Sequence, residues 1–157
     1  MATIKSLTGA GWLKDADDNF QSLKSLAGLH ITPFVFDTAV NDAGTTPASN
    51  KTVAAHPLAV TIPAKAIVLG GHLDVITAVT SATQNSTVAI SLANANDVFT
   101  STEGAEANLT LAAQLPMAAL KAAPIKLSAA KAVTVTVGTA ALTAGKINGY
   151  IIWMEGE

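Results

Sequence analysis

The stretch Val133-Thr134-Val135-Thr136-Val137 has the cleanest two-residue period in the chain. Side chains of a strand alternate between its faces, so the three valines share one face and the two threonines the other. Both residue types favour strands. Working outward, Thr139–Lys146 contains Gly145 and can turn, after which Ile147, Ile151 and Trp153 share one parity and Tyr150 and Ile152 the other. That pattern predicts a strand that is apolar on both faces.

The same period recurs upstream. Over Ile67–Val79, Ile67, Leu69, Leu73, Val75 and Val79 share a parity, with His72 and Asp74 on the opposite face. Gly70-Gly71 within it predicts a bulge or a close backbone approach. A polar turn at 82–86 leads to Val88, Ile90 and Leu92, which read as a hairpin partner. Ile31–Phe36 is a short strand that Pro33 restricts to an edge or a strand start. Residues 41–52 are a polar loop, and Val53–Ile62 is a strand region interrupted at His56-Pro57. A long loop covers 94–106. Leu109 and Leu111 open a short strand that Pro116 ends, and the Ala-rich 117–123 forms a helical turn or a loop. Several short strands at this spacing predict an all-β fold over residues 31–157, a β-sandwich or jelly-roll-like barrel.

Residues 1–30 differ and form an N-terminal arm. Phe20, Leu23 and Leu26 recur at helical spacing, Asp15, Asp17 and Asp18 suit a helix N-terminus, and Gly28 suits its stop. With Trp12 and Leu13 this short helix is the candidate assembly interface. It either touches a neighbouring protomer or another protein, or covers the open end of its own sandwich.

Composition narrows the function. Of 157 residues, 50% are hydrophobic, 13% charged and 4% aromatic, with a net charge of -2; an average domain carries about 25% charged residues. All nine basic residues are Lys. A chain without Arg and with this balance is a poor nucleic-acid binder. Mean hydropathy is +0.42, but the longest charge-free run, Val75–Asn96, is broken by polar residues at its centre, so no membrane helix is expected. Met1–Gly11 lacks the apolar run of a signal peptide, which predicts synthesis without export machinery.

Motifs for chemistry are sparse. There is no Cys, no Gly-x-Ser-x-Gly, no phosphate-binding loop and no dinucleotide fingerprint. His72 and Asp74 could share a metal ion on one strand face, with His56 or Glu103 as a third ligand; the plainer reading is a His–Asp hydrogen bond. Asp15, Asp17 and Asn19 mimic the start of a calcium loop, but Phe20 and Leu26 fall where Gly and Glu are needed. Glu103 and Glu106 could be imagined as a glycosidase pair, which would need a defined separation in a cleft. No catalytic residue, metal or cofactor is therefore expected.

Three stretches carry a resemblance. They are Ile62-Pro63-Ala64 through Thr83, Ser86-Thr87-Val88-Ala89-Ile90-Ser91-Leu92, and Ala141-Leu142-Thr143-Ala144-Gly145-Lys146 through Trp153. Together they resemble small structural proteins of tailed bacteriophages, most of all capsid decoration (cement) or head-fibre proteins. The resemblance covers residues 53–154 and brings no catalytic residue with it. It implies an all-β protomer, commonly a homotrimer, made in the host cytoplasm. Such a protein sits on the exterior of the virion head and bridges subunits of the major capsid protein. The alternative is a tail-fibre or receptor-binding module, with glycan as one ligand.

Overall fold

The structure, a computed structural model, describes residues 28–40, 50–117 and 124–157. Within them the strands are β1 (Leu29–Asp37), β2 (Ala55–Ile62), β3 (Ile67–Ser81), β4 (Thr87–Ser91), β5 (Gln114–Pro116), β6 (Ile125–Lys126), β7 (Lys131–Gly138) and β8 (Leu142–Met154). Two antiparallel sheets result. One has the order β1-β8-β3-β5, with β6 also paired to β3, and the other has the order β2-β7-β4. They face each other as a β-sandwich and do not close into a barrel. The expected N-terminal helix lies outside the described residues. Helix among the described residues is one 3-10 turn, Glu106–Asn108.

The alternation of β7 and β8 predicted much of the core. Val133, Val135 and Val137 of β7 are buried from one sheet, and Phe34, Phe36, Ile147 and Ile151 from the other. Each such side chain, taken fully out of water, contributes about 1.5–3 kcal/mol of hydrophobic driving force. Trp153 closes one end, where its indole N–H donates to Thr32 Oγ1 at 2.8 Å. Pro33 lies on β1, the edge strand of its sheet, as its missing N–H requires.

Four local expectations are corrected. First, β4 is not the hairpin partner of β3: it pairs with β7 in the opposite sheet. The chain crosses the sandwich between Ser81 and Thr87, and that corner is held by side chains (below). Second, β3 does not alternate evenly. Its register against β8 shifts between Val68 and Gly70, where one extra residue enters β3. The bulge reverses the faces, so Val68 is buried in the core while Ile67 and Leu69 are only half-buried. Gly70 takes φ +150°, a conformation that side chains disfavour, and a Cβ at Gly71 would collide with the Tyr150 carbonyl and Met117 Sδ. Third, Leu109 and Leu111 do not open a strand. Leu109 is buried beside the 3-10 turn, Leu111 is exposed in a turn, and β5 begins only at Gln114. Fourth, β2 runs through His56-Pro57, with its irregularity between Pro57 and Thr61. Pro57 fits because β2 is an edge strand. Of the Ala-rich 117–123, only Met117 is described; it is fully buried and its amide bonds Gly71 at 3.0 Å.

Candidate assembly surface

The two outer faces of the sandwich differ. On the β2-β7-β4 sheet the outward residues of β2 are Ala55, Pro57, Ala59 and Thr61, and those of β7 include Thr134 and Thr136. These are small or hydroxylated. On the β1-β8-β3-β5 sheet several outward residues are large and apolar. With Phe34 and Phe36 turned into the core, β1 must show Leu29, Ile31, Pro33 and Val35 to solvent. Ile31 is 62% exposed and Val35 49%. Their neighbours on β8 are Ile152 opposite Ile31 and Tyr150, itself exposed, opposite Pro33. Ile76 of β3 is exposed as well.

This outer face is the feature of the site that the sequence pattern only half disclosed. The signal was the double parity of β8: Tyr150 and Ile152 cannot enter a core already filled by Ile147, Ile151 and Trp153. What was missed is that Ile31, Val35 and Ile76 stand alongside them. The candidate interface residues Trp12, Leu13, Phe20, Leu23 and Leu26 lie outside the described residues.

A polar row crosses the same face. His72 pairs across strands with Tyr150 and with Pro116, and Asp74 with Asn148 and Gln114. His72 and Asp74 do not bond each other. The Gln114 amide stands between them, its Oε1 bonded to His72 Nε2 and its Nε2 donating to Asp74 Oδ1. An amide oxygen only accepts, so His72 Nε2 carries the proton. At the far end Lys146 Nζ meets Asp37 Oδ2 at 3.1 Å. The Ala39 amide, which bonds Asp37 at 2.8 Å, and then Lys146 hold the Asp37 carboxyl below its ordinary range against partial burial.

The imagined metal set does not assemble, and the two glutamates are engaged by the chain's own serines and threonine. Among the described residues no three His, Asp or Glu side chains come together. His56 is buried on β2, its Nε2–H donating to the Thr52 carbonyl at 2.9 Å. Glu103 accepts from the Thr100 amide and hydroxyl. Glu106 is committed elsewhere. Its carboxylate accepts the amide and hydroxyl of Ser81 at 2.9 and 2.6 Å, and the amide and hydroxyl of Ser86 at 3.0 and 2.7 Å. Burial pushes its pKa up, but the bonds from both serines outweigh this and hold it at about 2. This carboxylate ties the end of β3 to the start of β4 and is the clamp at the sandwich corner. His30 Nε2 lies 3.3 Å from Glu155 Oε1, and the His30 ring stacks on Trp153 with ring centroids 4.1 Å apart, which covers one face of that indole. Among the described residues no helix is long and apolar enough to cross a membrane.

No family model matches the chain, and no curated protein matches it. Solved structures do. The chain is similar to one in the capsid asymmetric unit of cyanophage Pam1, with 19% identity, 81% of this chain and 84% of that chain covered, and a TM-score of 0.56. A chain in the acid-stable capsid structure of Helicobacter pylori bacteriophage KHP30 matches at 15% identity over 82% of this chain and 89% of that one, with a TM-score of 0.52. A chain in the capsid of Ralstonia phage GP4 matches at 17% identity, covering 82% and 86%, with a TM-score of 0.50. At such identities the likeness is one of fold, and the fold is that of a chain found in the capsids of three bacteriophages.

Proposed function

We propose that the protein is a structural component of a phage virion: a capsid decoration protein that binds the outside of a tailed-phage head as a homotrimer and stabilises it by bridging major capsid subunits. The observation that carries this reading is the fold match to three phage capsid chains, which covers more than four-fifths of both chains in every case. The physical character of the molecule supports it. A cement protein requires contact area and many copies, not a reactive group. Here the carboxylates of Glu103 and Glu106 serve the chain's own loops, whereas Ile31, Val35 and Tyr150 offer apolar surface to a partner. Contacts that are weak singly become strong when repeated over a closed shell, because each binding event raises the effective concentration for the next. The protein acts without catalysis or cofactor, and it is made in the host cytoplasm and carried on the virion exterior.

The decisive experiment images native particles with an antibody or tag on this chain. Regular labelling over the whole head, together with heads that burst at lower temperature when the protein is omitted, is the expected result. Labelling confined to the tail, or binding of the isolated protein to host cells or glycans with bare heads, would replace this reading with that of a receptor-binding module.

A further inference from the structure

A sheet that does not close into a barrel has edges, and an edge strand carries unpaired N–H and C=O groups on which another strand can add. Four strands end the two sheets: β1 and β5 in one, β2 and β4 in the other. The edge of β4 is taken. The Val88 amide donates to the Gly104 carbonyl at 2.8 Å, and the Ile90 amide to the Phe99 carbonyl at 2.9 Å. Among the described residues no strand adds to the free side of β1, β2 or β5. Each of these three carries a proline: Pro33 in β1, Pro57 in β2 and Pro116 in β5.

The registers show which way each proline nitrogen points. In an antiparallel ladder bonded and non-bonded pairs alternate, and a residue of a non-bonded pair turns its backbone groups away from the neighbouring strand. The Thr38 amide donates to the Gly145 carbonyl at 3.0 Å, and the Glu155 amide to the Gly28 carbonyl at 3.2 Å. Counted in twos from either end, Thr32 and Phe34 bond β8, whereas Pro33, opposite Tyr150, faces away. The Val137 amide donates to the Ala54 carbonyl at 2.9 Å, so His56 continues that ladder and Pro57, opposite Thr134, faces away from β7. The Met117 amide donates to Gly71 and the Val75 amide to Ala113, both at 3.0 Å, so Leu115 bonds β3 and Pro116, opposite His72, faces away. All three missing donors therefore lie on the free side of an edge, and all three rings are exposed.

A proline inside a strand is forced into such a position by its own ladder, but nothing forces one onto each free edge. The rest of the edge composition supplies the reason. Edges are commonly guarded by lysine or another charge. Of Asp, Glu, Lys and Arg, β1, β2 and β5 together hold Asp37 alone, and it is already paired to Lys146. β1 also runs for nine residues with Leu29, Ile31 and Val35 exposed, the regular apolar edge on which strands stack. In a chain this short of charge, proline is the guard that remains. We propose that Pro33, Pro57 and Pro116 close the three free edges to strand addition, by a second copy or by an extended segment of another protein. Contacts with partners are thereby left to side chains on the sheet faces and loops. The proposal concerns the protomer itself and does not rest on where the protein is carried.

Replacing each proline by a strand former restores the missing donor without touching the protomer's own ladder. In full-length protein, Pro33→Val, Pro57→Thr and Pro116→Thr are compared with wild type and with Pro63→Ala, whose proline lies just after β2. Circular dichroism should be unchanged. In sedimentation the three edge variants, and not Pro63→Ala, should associate beyond the wild-type mass at a concentration lower by about fivefold or more, the contribution of one ladder hydrogen bond. Hydrogen exchange should then find the Ile31 and Val35 amides protected in associated Pro33→Val. Pro57→Thr lies on the opposite sheet, so its association cannot be ascribed to the apolar outer face of β1 and β8. Variants that fold and keep the wild-type mass at every concentration would overturn the proposal, as would association of Pro33→Val that leaves those amides unprotected. If none of the three variants folds, the prolines serve the protomer's own strands and the proposal fails as well.

Discussion

At Glu106 four hydrogen bonds from two serines converge on one carboxylate. Replacing it with Ala leaves Ser81 and Ser86 without their acceptor, and we expect a loss of about 2–4 kcal/mol in urea unfolding. Its pH dependence has a defined sign. The folded pKa of about 2 lies below the ordinary value of 4.5, so the stabilisation is complete above about pH 4.5 and is lost as pH falls toward 2. Glu106→Gln should flatten the stability profile in that window; an unaltered profile would show that the clamp is idle. Gly149 makes a different demand. The Phe34 ring lies over it, and a Cβ would penetrate that ring. Gly149→Ala should therefore destabilise by about 2–3 kcal/mol or more, although Ala suits a strand better than Gly does. Neither role was legible in the sequence. Glu106 sits 20 and 25 residues from its serines, and only the crossing between sheets brings them together.

The strands show what periodicity can and cannot carry. β7 was fully legible, because Val133, Val135 and Val137 alternate without interruption and all three are buried. β3 was legible as a strand but not in its facing. The Gly70-Gly71 signal predicted a bulge, and the bulge is there, but a two-residue parity counted straight through it put Ile67 and Leu69 on the wrong side. The correction has a measurable form. Val68→Ala should cost about 1–2 kcal/mol, and Leu69→Ala less, even though Leu loses more atoms. The reverse order would mean the register shift is absent. The β3–β4 pairing failed for a related reason. A short polar turn between two alternating runs has the form of a hairpin, and nothing local states that the chain will change sheets. That information resides in the long-range bonds of Glu106 and in the pairing of β4 with β7.

At the scale of the molecule, a fold class read from alternation and turn spacing agrees with the observed sandwich and with three capsid chains. The assembly surface was less visible. An exposed apolar face differs from a buried one only by what covers it, and the pattern of β8 is the same in either case. One measurement joins the levels. If the outer face mediates assembly, unfolding temperature should rise with protein concentration in the wild type and become concentration-independent in the Ile31→Lys, Val35→Lys variant.

The register of the larger sheet also sets an order of events in time. β8 lies between β1 and β3, pairing Leu29 with Met154 on one side and Ile67 with the same Met154 on the other. Yet β8 follows both in the chain, and at about 5–20 residues per second of synthesis many seconds pass before it emerges. Through that interval β1 and β3 have no partner across the gap that β8 will fill. Nascent chains held before β8 should be cleaved readily by protease and become resistant only once it is released. The central strand of the sheet is thus a final keystone, and quality control has a single late event to inspect.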